Sequence, residues 1–189
     1  AGGAVSLLER QVSVLRERSV DLRHRLNSLL ENARTNDRLF EQTKQLVLKL
    51  LEAQSLDHLV DTFTHSLEQE FQIDFASMLL IGNPLQHRGV RARVVALADA
   101  RTHIEGILKS SKAVCGVLRP EEVKFLFPEH SRQVGSAAVI PLSLGQPLGV
   151  IAIASTDPHY FRSSMGTLFL GYIAEVLNRV LPKHLKPGT

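Results

Sequence analysis

Between Val5 and Leu50 apolar side chains recur at alternating intervals of three and four residues. With Val5 at position a of a heptad, the a and d places hold Val5, Leu8, Val12, Leu15, Ser19, Leu22, Leu26, Leu29, Ala33, Asn36, Phe40, Thr43, Val47 and Leu50. All but Ser19, Asn36 and Thr43 are apolar. A 3.5-residue period keeps one stripe turned toward a partner helix, which is the seam of a coiled coil. Glycine is absent from Ala4 to Ile81 and the first proline is Pro84, so nothing in the backbone chemistry interrupts a helix here. Such a helix would be roughly 75 Å long. The rest of the chain makes a domain with a radius of gyration of roughly 14 Å, too small to cover that stripe. The expected partner is a second copy, paired through Val5, Leu8, Val12, Leu15, Leu22, Leu26, Leu29, Asn36 and Phe40. Asn36 reads either as a weak point, with a helix break near Asn32–Asn36, or as a polar pair that fixes register. In a parallel pair Arg18 at g meets Arg23 at e, a like-charge contact eased by Glu17 and Asp21, and antiparallel pairing stays open.

Composition narrows the class. Hydrophobic residues make up 44% and charged residues 22%, which suits a soluble folded protein rather than a disordered one. No apolar run is long enough for a membrane span and no secretory leader opens the chain, so no membrane association is expected. The chain opens on Ala1, as a processed protein or a piece of a longer one would. Cys115 is the single cysteine, which excludes an internal disulfide and a cysteine-based zinc site and fits a reducing cytoplasm. The net charge of +3 is spread over both parts of the chain, so no nucleic-acid partner is expected. The local cluster His87, Arg88, Arg91 and Arg93 could touch phosphate but reads better as a solvated strand face.

Beyond residue 54 glycine and proline recur and the pattern shortens, so two domains are expected: a dimerising helix over 1–54 and a globular domain over 55–189. Ser55 is a natural N-cap for a helix whose apolar face carries Leu56, Leu59, Val60, Phe63, Leu67 and Phe71. Strands are expected at Phe75–Ile81 and Val90–Ala98, then a helix opened by the Thr102/Glu105 capping box. A strand at Val114–Leu118 and a short helix from Pro120 to Pro128 come next. The runs Ala137–Leu144 and Leu148–Ala154, joined by Gly145-Gln146-Pro147, read as a central hairpin. Gly149, Ala152 and Ala154 would let a helix approach closely. A last helix is expected from about Ser164 to Leu181, with two apolar stripes. The order gives an α+β fold with a mainly antiparallel sheet, its first and last helices on one face.

The segment Ser136–Ser155, a small-apolar strand ending in Pro141-Leu142, a glycine turn, then Gly149-Val150 and a second apolar strand, resembles the signature hairpin of GAF domains, sensor modules related to PAS. Asp157-Pro158-His159-Tyr160-Phe161 continues that hairpin in the family manner. Met165–Gly171, together with Leu29-Leu30-Glu31-Asn32-Ala33 and Asn36-Asp37 on the leading helix, resembles more narrowly the bacterial GAF-like family called domain of unknown function 484. The resemblance implies a five- or six-stranded sheet with helices on both sides, a pocket beneath the short middle helices, and a regulatory role without enzymatic activity. Residues associated with cyclic-nucleotide or bilin binding in GAF domains are not recognisable.

No phosphate loop, nucleophile elbow or paired-histidine metal motif occurs, and no metal is expected. The eight histidines are scattered. Candidate pocket residues are Arg93, His103, Cys115, Ser136 and Ser155, with Phe125 and Phe127 as apolar lining; the cofactor, if any, is unspecified. The expected partners are the protein itself, a small molecule and an unidentified protein. Two other readings stand beside the sensor: a scaffold whose cavity is filled by its own side chains, and a small redox or hydrolytic enzyme using Cys115.

Overall fold

A computed structural model describes residues 2–162 and 167–185. The expected features at Ser164, Met165 and Gly166 lie outside the described residues. The chain divides into two compact units, Ala1–Glu41 and Gln42–Thr189.

The leading helix α1 (Gly2–Leu51) is continuous, so no break occurs at Asn32–Asn36. Along it the seam is open: Leu15, Leu22 and Leu29 are each more than 60% exposed and Phe40 is 71% exposed. From Thr43 onward the same stripe changes fate. Thr43, Leu46, Val47 and Leu50 are buried within the Gln42–Thr189 unit. The heptad pattern therefore has two sections, and only the one ending at Phe40 is left uncovered by this chain.

In the second unit, α2 (Leu56–Gln69) starts as its sequence predicts, with the Ser55 hydroxyl accepting the His58 N–H at 3.1 Å. Strands β1 (Phe75–Ile81), β2 (Val94–Val95), β3 (Val114–Gly116), β4 (Ser136–Ser143) and β5 (Pro147–Ser155) form one sheet in the order β2-β1-β5-β4-β3. Every pairing is antiparallel except the two-residue bridge of β1 to β2. The hairpin β4–β5 is internal, as its unbroken apolar runs require. Helices α3 (Leu97–Leu108) and α4 (Pro120–Leu126) follow β2 and β3, and α5 (Leu168–Val180) closes the fold.

Strand alternation divides the core into two layers. Ile151 and Ile153 of β5, with Met78, Leu80 and Ala138, face Leu50, Phe63, Ile173 and Leu177 from α1, α2 and α5. Val150, Ala152 and Ala154 turn the other way, toward Ile104 and Ile107 of α3 and Phe125 and Leu126 of α4. The sheet is thus covered on both sides, with the first and last helices sharing one face.

Four local expectations are corrected. The expected strand Val90–Ala98 shrinks to Val94–Val95, because the chain before it is tied to α2: the Asp57 carboxylate accepts the Ala92 N–H at 2.8 Å and Asp61 pairs with Arg91 at 2.7 Å. His87 of the expected solvated cluster is buried. The α3 helix begins at Leu97, not Thr102; the Thr102 hydroxyl donates back to the Ala98 carbonyl instead of capping. Gly149 is small for a different reason from the one expected. A Cβ there would lie 2.3 Å from the Leu79 carbonyl oxygen, so it is the neighbouring strand, not a helix, that demands glycine.

Candidate functional site

The face covered by α3 and α4 gathers four of the candidate residues, Arg93, His103, Phe125 and Phe127. Phe125 stands on α4, a helix fixed by Pro120 at its first turn and by Glu122, whose carboxylate accepts the Arg119 N–H at 3.0 Å. Two side chains pack on its buried ring. The His103 imidazole, from α3, stacks at 4.4 Å with an interplanar angle of 5°. The Arg93 guanidinium, arriving from the residue before β2, lies 4.9 Å from the ring centroid and donates to the Phe125 carbonyl. A cation over an aromatic face contributes about 1 kcal/mol when partly desolvated. Burial pulls the Arg93 pKa down, and nearby Asp99 works against that shift. Asp99 also serves His103: its carbonyl lies 2.9 Å from Nδ1 and its carboxylate 3.5 Å. Arg93, Phe125 and His103 thus form one cluster joining the residue before β2 to both covering helices.

Phe127, just past the end of α4, is buried in the same layer. Two further contacts belong to this face. On β1 the Ser77 hydroxyl donates to the Leu126 carbonyl at 2.8 Å, and two residues earlier Phe75 stacks on His130 at 4.5 Å. The His130 Nδ1 is buried with no hydrogen-bond partner among the described residues. Nothing local in the sequence points to these pairs, since Ser77 and Leu126 are 49 residues apart.

The other candidates lie elsewhere. Cys115 is part-buried against the α2/α5 layer, on the opposite side of the sheet from Phe125. Burial pushes its thiol pKa up, and a hydrogen bond with Thr167 only partly offsets this. Ser136 and Ser155 are register partners at the ends of β4 and β5 and are engaged in tying down the chain that follows. The Ser136 hydroxyl donates to the Asp157 carbonyl at 2.6 Å and accepts the Phe161 N–H at 3.2 Å. Ser155 donates to Asp74 at 3.1 Å, and the same carboxylate accepts the Thr156 N–H at 2.8 Å. The Thr156 backbone bond is the main reason the Asp74 pKa falls below its ordinary value. Phe125, Phe127, Arg93 and His103 therefore share a face, while Cys115, Ser136 and Ser155 do not join them.

Among the described residues no group of three or more His, Cys, Asp or Glu side chains is placed to hold a metal ion. No described helix is long and apolar enough to cross a membrane. The α3/α4 face thus brings an aromatic ring together with a guanidinium and an imidazole.

The sheet order and the helices on both faces define a GAF-like fold. The structure is similar to the GAF domain of an Acinetobacter phosphoenolpyruvate-protein phosphotransferase, with a TM-score of 0.53 and 13% identity, over 77% of this chain and 93% of that one. The chain belongs to the family described as "Protein of unknown function, DUF484", whose model matches residues 1–186. It is 31% identical to the uncharacterized protein YigA of Salmonella typhimurium over 189 residues, 97% of this chain and 79% of that protein. The uncharacterized protein YigA of Escherichia coli is 28% identical over 194 residues, with the same two shares.

Proposed function

We propose that the protein is a non-enzymatic regulatory module in which two copies pair through α1 and each presents a GAF-like domain for a small molecule or a protein partner. The observation that carries this reading is the open seam. Leu22 and Leu26 are 65% and 57% exposed in a helix whose own globular unit buries the stripe only from Thr43 onward. Fully burying a leucine contributes about 1.5–3 kcal/mol, so several per chain outweigh the entropy of association. The Leu22→Glu, Leu26→Glu double variant tests it. Light scattering should give a dimer for the native protein and a monomer for the variant, with helix content retained by circular dichroism in the globular part. A native protein that is monomeric, or a variant of unchanged mass, overturns the pairing.

The small-molecule part of the reading draws on the Arg93–Phe125–His103 cluster and on the general use of the GAF fold. A scaffold without a small ligand is favoured by one observation, that the Arg93 guanidinium and the His103 imidazole both already pack on the protein's own Phe125 ring. Native mass spectrometry of freshly purified protein separates the two: retained small-molecule mass supports the sensor, bare protein the scaffold. An enzyme built on Cys115 has the least support, because a raised thiol pKa opposes nucleophilic chemistry at neutral pH.

A further inference from the structure

Positions e and g flank a heptad seam and meet across it. From residue 11 to residue 30 those positions hold Gln11, Arg16, Arg18, Arg23, Arg25 and Leu30: four cations and no acid. All four arginines are exposed. The acids of this stretch lie elsewhere on the helix, Glu17 at f and Asp21 at c, and Asp21 is engaged with Arg25 at 3.0 Å. The seam is also interrupted here, with Ser19 at an a position. A shallow groove on this surface is lined by Leu15, Arg18, Ser19, Leu22, Arg23 and Leu26.

The cluster is centred between residues 20 and 21, close to the midpoint of the Ala1–Glu41 unit. That placement removes the dependence on helix direction. In a parallel pair in register, Arg18 meets Arg23 of the other copy. In an antiparallel pair overlapping over the same length, Val12 packs against Leu29 and Ser19 against Leu22, while Arg16 meets Arg23 and Arg18 meets Arg25. Either way the arginines of both copies gather at one level, within about 14 Å along the axis. Like charges so placed weaken the pair unless something neutralises them.

We infer that the middle of the paired helices is an anion site, a collar of arginines around Ser19 that takes a compact oligophosphate and tightens the pair when it is filled. This rests on the pairing proposed above. Guanidinium groups bind phosphate oxygens through two parallel hydrogen bonds, so arginine suits this anion. A compact anion is favoured over a polymer because the cationic level is short: the next charged flanking positions outward are Glu9 and Asp37, both acidic.

Sedimentation equilibrium at constant ionic strength tests the inference, with inorganic tripolyphosphate as the probe and sodium chloride as the ionic-strength control. Tripolyphosphate at millimolar concentration should lower the dimer dissociation constant by about tenfold relative to the chloride control. The variant carrying Arg16→Gln, Arg18→Gln, Arg23→Gln and Arg25→Gln keeps helix-forming side chains, so it should dimerise more tightly in plain buffer and lose the response. A native dimer indifferent to tripolyphosphate, or a glutamine variant that responds as strongly, overturns the anion site and leaves the pairing intact. A native protein that stays monomeric with and without the anion overturns both.

Discussion

At the scale of single residues, environment outweighs identity. Cys115 and His103 are both reactive side-chain types, yet one is part-buried in a hydrocarbon layer and the other stacks on a ring at the surface of the α3/α4 face. Burial favours the neutral thiol, so at any given pH Cys115 carries less thiolate than free cysteine. Its alkylation by iodoacetamide should be slower than that of free cysteine at neutral pH, with the rate rising at a higher pH; an inflection at or below that of free cysteine contradicts the assignment. The GAF resemblance, with the residue types, grouped Arg93, His103, Phe125 and Phe127 with Cys115, Ser136 and Ser155 around the middle helices. It could not give the packing of Arg93 and His103 on Phe125, whose members come from separate parts of the chain, nor the removal of Ser136 and Ser155 into strand-end hydrogen bonds. Those depend on which face of the sheet a residue takes, and a one-residue change of register reverses that face.

At the scale of elements, signals repeated over many residues survived and signals carried by one or two did not. The continuous α1 and the β4–β5 hairpin were legible from long periodicity and a Gly-containing turn, and the Ser55 cap from a single hydroxyl followed by an amphipathic helix. Strand β2 was misread because its length is decided by Asp57 and Asp61, 35 and 30 residues away in sequence from the Ala92 and Arg91 they hold. The Thr102/Glu105 pattern was misread because residues 97–101 are good helix formers, and Asp99 suits a first turn. Within α3 the backbone leaves helical geometry at Ile104, with φ −134° and ψ 32°, a break no breaker residue announces. Gly149 gives the sharpest element-level prediction. Gly149→Ala should destabilise the folded state by about 2–4 kcal/mol in urea denaturation, because its Cβ would strike the β1 backbone rather than a movable side chain. Gly171→Ala in α5, where a Cβ meets nothing within 4 Å, should instead stabilise by about 0.5–1 kcal/mol. Equal effects of the two substitutions would contradict the strand-contact argument.

At the scale of the whole molecule, stability and association are linked. If α1 pairs with a second copy, the native state is stabilised by mass action, and the thermal midpoint of the helix signal should rise with protein concentration. The Leu22→Glu, Leu26→Glu variant should melt independently of concentration, and a native midpoint that does not move would count against pairing. The family and the fold are established, and no relative described above carries an assigned activity. The sheet's margins bear on the same question. Its outermost strands, β2 and β3, are two and three residues long. Strands this short offer little main chain of their own as a template for another sheet. A lateral association through them would have to be carried by side chains, which can be specific and released again.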